Sequence, residues 1–330
     1  MNMFFCHTTA LLLGVILDLI IGDPKWFPHP VRLMGKAISF ISERSIKDDK
    51  RNGIKEKRSG LILCVIMTVI TGAAVLAITV AAYNLNLYIG IFVEAILTCL
   101  CLAAKSLCKE SMAVYSDLKK TDIVAARKSL SMIVGRDTDG LSEEGIIKAA
   151  VETVSENASD GVIAPLLYTM LFGPVGGFIY KAINTMDSMV GYKNERYRNF
   201  GYYPARLDDI ANFVPARITG MFMVLSAYIL GLFKKEYDGK NAWDIFKNDR
   251  KKHDSPNSAH GESACAGALG IELAGPASYG GVFKNKPYIG VKRRQAEAED
   301  IKRANALMFL TEGLMVGAYL LIALIILLWK

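Results

Sequence analysis

The chain has 330 residues, of which 52% are hydrophobic and 22% charged, with a mean hydropathy of +0.27. This composition excludes a disordered chain, a collagen-like repeat and a small disulfide scaffold. The 39 Lys and Arg against 32 Asp and Glu give a net charge of +7. On a soluble protein that charge would suggest nucleic acid, but its distribution along this chain argues for a membrane surface, and no nucleic-acid partner is expected.

Apolar residues fall in blocks near the roughly 20 residues that a helix needs to cross hydrocarbon. Residues 5–21 form a short first block containing Asp18. No basic segment precedes it, so it reads as a retained span and not as a secretory signal. The stretch GDPKWFPHPVRLMGK (22–36) follows, where Pro24, Pro28 and Pro30 predict extended or turn geometry. Asp23, His29 and Arg32 are its ligand candidates; alternatively Asp23 starts a turn and Arg32 faces headgroups. Residues 43–58 are a mixed charge run, read as a solvated linker. Two spans come next, 60–82 and 85–104, the second carrying Glu94.

Residues 135–161 contain a helix whose N-cap is Ser142, followed by Glu143 and Glu144. Ile146, Ile147, Ala150, Val151 and Val154 form its apolar side, and Glu152 and Glu156 stack on another face. Like charges at this spacing repel unless a cation lies between them. Asn157 and Asp160 add oxygen, so Glu152, Glu156 and Asp160 are candidate Mg²⁺ ligands. Arg136 and Asp137 precede the helix, where phosphate or carboxylate chemistry can use them. Block 162–180 is interrupted by Gly173, Pro174, Gly176 and Gly177. Beyond it, Asn184 and Asp187 share a helix face with Tyr180, Asp208 and Asp209 follow Arg206, and Arg217 enters the apolar block 213–233. Ionisable groups near membrane depth are functional candidates by default.

Residues 251–290 combine a turn at Ser255-Pro256-Asn257-Ser258 with glycines at 261, 267, 270, 275, 280 and 281 that allow close backbone approach to a ligand. No GxxxxGK[ST] is present, which excludes a Walker-type loop. The last span is 307–329. The six cysteines show no CxxC or zinc spacing and read as small buried apolar residues. The four histidines form no HExxH pattern.

The expected fold is therefore an all-α polytopic integral membrane protein, one membrane domain over 1–330 with five or six transmembrane helices. A large cytoplasmic helical and loop region carries the active site. Segments 22–59, 105–161 and 234–306 hold 10, 8 and 14 Lys and Arg, together 32 of the 39. The positive-inside rule places them in the cytoplasm. Those assignments conflict with a full crossing by 162–180, which would put Asp187, Arg206, Asp208 and Asp209 outside. The expectation is that 162–233 enters the membrane and returns, turning at Gly173-Pro174.

Four stretches in this order resemble the CbiB/CobD family of cobalamin biosynthesis, the adenosylcobinamide-phosphate synthases. They are GDPKWFPHPVRLMGK, VGRDTDGLSEEGIIKAAVETVSENASDGVIAPL, YKAINTMDSMVGYKNERYRNFGYYPARLDDIANFVPARI and SPNSAHGESACAGALGIELAGPASYGG, spread from about residue 10 to 290. The family pattern has Gly-Trp-Pro-Glu after the SPN turn, where this chain has Ala259, His260 and Gly261 before Glu262. The resemblance implies ATP-dependent amide formation between a propionate carboxylate of adenosylcobyric acid and aminopropanol or its O-phosphate. Mg²⁺ and ATP take part, at the cytoplasmic membrane, with the active site facing the cytoplasm. The implied partners are the corrinoid, the amine and the bilayer, with other corrinoid-pathway membrane enzymes as neighbours.

On that reading Glu152, Glu156, Asp187, Arg206, Asp208 and Asp209 are catalytic candidates. Asp23, His29, Arg32, Arg136, Asp137, Asn157, Asn184, Arg217, Ser255, Asn257, Glu262 and Tyr279 are candidates for holding substrate or ATP. Two other classes compete. A CDP-alcohol-type transferase would want DGxxAR, but DGVIAP puts Pro165 where Arg belongs. A transporter would show paired interrupted spans in two halves, and none appears.

Overall fold

The computed structural model describes residues 3–23, 29–46, 52–192 and 194–329. Its helices are α1 (Met3–Ile21), α2 (Pro30–Ser45), α3 (Gly53–Leu85), α4 (Leu87–Cys101), α5 (Ala104–Lys119), α6 (Ile123–Ser131), α7 (Glu143–Asn157), α8 (Ala164–Val190), α9 (Tyr202–Ala211), α10 (Phe213–Gly231), α11 (Gly239–Asp249), α12 (Ala259–Leu269) and α13 (Glu299–Leu328). A π-helical turn, Ala158–Ile163, joins α7 to α8. Among the described residues, six helical runs are long and apolar enough to cross a membrane: α1, α3, α4 continued by α5, α7 through α8, α10 and α13. The protein is a helical multi-pass membrane protein.

The chain clusters into two compact units, residues 1–103 with 164–212, and residues 104–163 with 213–330. In the first unit, α1 packs on α4, and α3 packs on α4 and α8. Two expectations need correction here. The proline stretch is not extended to residue 36, because Pro30 opens α2, a position where its missing N–H costs nothing; Pro24 and Pro28 lie outside the described residues. The charge run 43–58 is not all linker either. Asn52 caps α3 by accepting from Ile54 N and Lys55 N, both at 3.1 Å, so residues 53–58 are already helix.

The run from Ala164 to Val190 is no straight rod. Phe172 and Gly173 leave helical geometry, Gly173 with φ 63° and ψ −167°, a region open essentially to glycine alone. In a straight helix Tyr168 and Tyr180 would stand about 18 Å apart along the axis. Here their rings stack with centroids 5.3 Å apart. A Cβ on Gly177 would lie 2.3 Å from Thr169 Oγ1. The two arms of α8 therefore form a hairpin that turns at Gly173.

A helix that stops at Phe172 leaves its last carbonyls without donors, and Pro174 has no N–H to offer. His7 of α1 supplies one, with Nε2 3.4 Å from Met170 O. Its Nδ1 meets Glu94 Oε1 of α4 at 2.6 Å, and Tyr83 donates to Glu94 Oε2 at 2.5 Å. This polar latch of three side chains holds the tip of the hairpin.

The second unit surrounds α12, every residue of which is buried. Helices α7, α10, α11 and α13 pack on it. Ser142 caps α7 by accepting from Gly145 N at 3.2 Å, as its place before two glutamates predicts. Between α12 and α13 lie two small antiparallel ladders absent from the all-α expectation. They are formed by β1 (Leu273–Ala274), β2 (Ala277–Tyr279), β3 (Val282–Lys284) and β4 (Tyr288–Ile289), with β1 pairing β4 and β2 pairing β3.

Replacing Gly173 with Ala forces an L side chain into a glycine-only conformation, at a cost of about 1–3 kcal/mol. A clear fall in Tm in detergent is expected, matched by His7→Ala, which removes the side chain that bridges Glu94 and Met170 O. An unchanged Tm in both variants would contradict the latched hairpin.

Candidate functional site

In the second unit the polar residues converge where α7 meets α12. Arg136, from the loop before α7, pairs with Glu152 Oε1. The second oxygen of Glu152 accepts from Ala274 N at 3.2 Å. One turn further, Glu156 Oε1 accepts from Ser258 Oγ at 2.8 Å. Burial opposes the charge of Arg136, but Glu152, Tyr279 and Glu262 outweigh it and hold its pKa above the ordinary arginine value. Lys286 donates to Tyr279 OH at 2.8 Å, and that bond keeps the ammonium charged despite burial.

Glu262 lies in the first turn of α12, fully buried, and neither of its oxygens has a hydrogen-bond partner among the described residues. Burial, and after it the charges of Glu152 and Glu156, push its carboxyl well above the usual range. His253 enters through the turn before α12. Its Nδ1 accepts from Ser255 N at 3.0 Å, and burial lowers its pKa. Asn257 accepts from Arg217 Nη1 at 2.9 Å, while Ser255 Oγ accepts from Asn257 N at 3.3 Å. Arg217 also lies over the Phe213 ring at 3.6 Å.

Three sequence candidates in this unit are engaged locally. Asp137 accepts from Gly280 N at 2.9 Å and Gly281 N at 2.8 Å, so its own carboxylate fills the glycine nest expected to hold an anion. Asn157 donates to Thr153 O at 3.0 Å on its own helix. Asp160 sits half-buried in the π-helical turn. Sequence reasoning missed His253, Ser258 and Lys286. The serine adjoins the SPN turn and had a local signal; the lysine, in a loop between strands, had none.

The first unit holds the remaining candidates. Asp208 is buried and accepts from Asn212 Nδ2 at 3.0 Å and Asn184 Nδ2 at 3.4 Å. Tyr180 donates to Asn212 Oδ1 at 2.8 Å, joining the same network from the stacked face of the hairpin. Asp187 is half-buried one turn beyond Asn184, and Asp209 is half-buried beside Asp208. Arg206 is exposed, with no ion pair among the described residues. His29 caps α2 by accepting from Val31 N at 3.3 Å, and its Nε2 stands 3.1 Å from Asp23. Arg32 is exposed on the first turn of α2.

Comparison with known proteins decides the family. The model described as CobD/Cbib protein matches residues 11–308. The chain belongs to the CobD/CbiB family. The cobalamin biosynthesis protein CobD of Pelobacter propionicus is 45% identical over 304 residues, 92% of this chain and 91% of the relative. The protein of the same name from Clostridium perfringens is 45% identical over 90% of this chain and 92% of its own. That from Halalkalibacterium halodurans is 40% identical over 97% and 98%. No solved structure matches. Membership in the CobD/CbiB family gives the protein a role in cobalamin biosynthesis, and the clusters above are its candidate machinery.

One buried group of this unit has a pH signature. The imidazole of His260 is pushed down to about 4, by burial first and then by Arg217, Arg250 and Lys251. Unfolded histidine titrates near 6.5, so between about pH 6.5 and 4 the unfolded chain binds the extra proton. Stability from the neutral ring is complete above that window and is lost as pH falls through it. Tm should therefore drop less between pH 6.5 and 5 in His260→Gln than in the wild type; parallel losses would contradict the assignment.

Proposed function

We propose that the protein catalyses ATP-dependent amide-bond formation between a propionate carboxylate of adenosylcobyric acid and the amine of aminopropanol or its O-phosphate, yielding adenosylcobinamide or its phosphate. The observation that carries the reading is the α7–α12 cluster, in which buried carboxylates meet Arg136 and Lys286 in a CobD/CbiB chain. A carboxylate is a poor electrophile and must first be activated. In this reading its oxygen takes a phosphoryl group from ATP, and the amine then displaces phosphate from the acyl carbon, losing one proton.

Catalysis of such a transfer is largely positioning and charge stabilisation. Arg136 and Lys286 are suited to the transferring phosphoryl group, and Arg217, fixed by Asn257, to the nucleotide. Asp187, Arg206, Asp208 and Asp209 are the further candidates on the first unit. Glu152, Glu156 and Asp160 do not form a ready-made metal centre, since no three His, Cys, Asp or Glu side chains converge at metal-binding spacing among the described residues. Both oxygens of Glu152 are engaged, whereas Glu156 has one bonded by Ser258 and one left. That suits Mg²⁺ arriving on ATP, which takes one or two carboxylates beside the phosphates. When bound, the ion neutralises phosphate oxygens.

We place the active site on the cytoplasmic face of the cell membrane. The α8 hairpin supports a re-entrant path for 162–233, which returns Asp187 and Arg206 to the side where ATP is found. In a Cys-free background, single cysteines at Glu195 and Asn199 are expected to react with an impermeant thiol reagent from the cytoplasmic side only. Labelling from outside in intact cells would overturn the path.

The reaction is tested with purified protein in detergent, adenosylcobyric acid, Mg-ATP and either amine, with the corrinoid product weighed by mass spectrometry. Glu156→Gln should lower turnover at least about tenfold, or about 1.4 kcal/mol of transition-state stabilisation. Arg206→Lys, which keeps charge and loses the planar fork, should fall nearly as far as Arg206→Ala. Absence of a product with the mass of the amide would reject the ligase reading.

A further inference from the structure

Among the described residues, each carboxylate of the α7–α12 cluster has a resident partner except one. Glu152 has Arg136 and Ala274 N, and Glu156 has Ser258. Glu262 has none for either oxygen, although its residue is wholly removed from solvent. It is fixed there by close packing: a Cβ on the preceding Gly261 would lie 2.4 Å from Ser155 O, so α12 meets the α7 backbone where only glycine fits. The two cations within electrostatic reach, Arg136 and Lys286, are held by Glu152 and Tyr279. Burial holds a carboxyl without a cation or donor in its neutral form, and a cation brought beside it restores the carboxylate. The chain leaves that position to something outside itself.

We infer that Glu262 is the docking carboxylate for a primary ammonium group of the substrate. Two features favour an organic ammonium over a metal ion. Mg²⁺ demands near-octahedral oxygens at about 2.0–2.1 Å, and no group of three carboxylate, thiolate or imidazole ligands is assembled among the described residues. An ammonium needs only acceptors at hydrogen-bonding distance for its N–H donors, and the two oxygens of Glu262 offer them.

The inference rests on the amide-forming reading, under which the ammonium belongs to aminopropanol or its O-phosphate. It concerns recognition of the amine and not its chemical activation.

The test measures binding apart from turnover. Full-length protein in detergent is titrated calorimetrically with 1-aminopropan-2-ol, with its neutral isostere propane-1,2-diol, and with Mg²⁺ alone. The amine should bind at least about tenfold more tightly than the diol. Glu262→Gln should remove most of that difference while leaving Mg²⁺ binding unchanged, and Glu262→Asp should retain part of it. Equal affinity for amine and diol in the wild type overturns the proposal without any variant, which guards against a variant that does not fold. Loss of Mg²⁺ binding in Glu262→Gln with amine binding intact also overturns it, in favour of a metal site. Amine binding that depends on Glu262 in a protein that makes no amide would reject the ligase reading and leave the ammonium site standing. Amide formation with an unchanged KM for the amine in Glu262→Gln would do the reverse.

Discussion

A carboxylate taken out of water must be met by a cation or by N–H donors, and the second unit is organised by that requirement. Glu152 draws Arg136 from the loop before α7 and the amide of Ala274 from β1, so one buried charge ties together segments far apart in sequence. Asp137, next to Arg136, draws Gly280 and Gly281 to itself and orients the β2–β3 hairpin. The Arg136-Asp137 pair thus places a cation and an anchored loop beside the same helix. Lys286 and Tyr279 follow from that anchoring, since both lie on the segment it holds.

In the first unit the corresponding constraint is backbone hydrogen bonding inside an apolar surround. A helix that breaks at Gly173 must find other donors for its final carbonyls. His7, Glu94 and Tyr83 meet part of that need and use a buried glutamate to do so. The turn makes the return arm possible, and with it the stacking of Tyr168 on Tyr180 and the Tyr180–Asn212–Asp208 network. Asn184, a candidate for holding substrate or ATP, becomes a donor to Asp208 through this folding back.

Glu94 and Glu262 are both buried glutamates, yet the structure treats them differently. Glu94 is satisfied by two side chains of its own unit, so it reads as architecture. The nearby cations are committed elsewhere around Glu262, so it reads as a site. The difference lies in partners and not in burial, and burial alone would not have separated them.

Much of this was legible in the sequence. Apolar run length sets which segments are able to cross hydrocarbon, a proline at the first helical position and Ser142 before two glutamates mark helix starts, and glycine beside proline marks the break in block 162–180. Local rules are enough there because each effect acts within a turn or two of chain. The stacking of Glu152 and Glu156 was readable for the same reason. Only tertiary structure decided which partners these groups meet: Arg136 for Glu152, Ser258 for Glu156, the Gly280–Gly281 amides for Asp137, and nothing resident for Glu262. Such pairings join residues up to 144 positions apart, as between Asp137 and Gly281. Helical periodicity says which face a side chain occupies, but not what another segment, held by its own packing and hydrogen bonds, brings to that face.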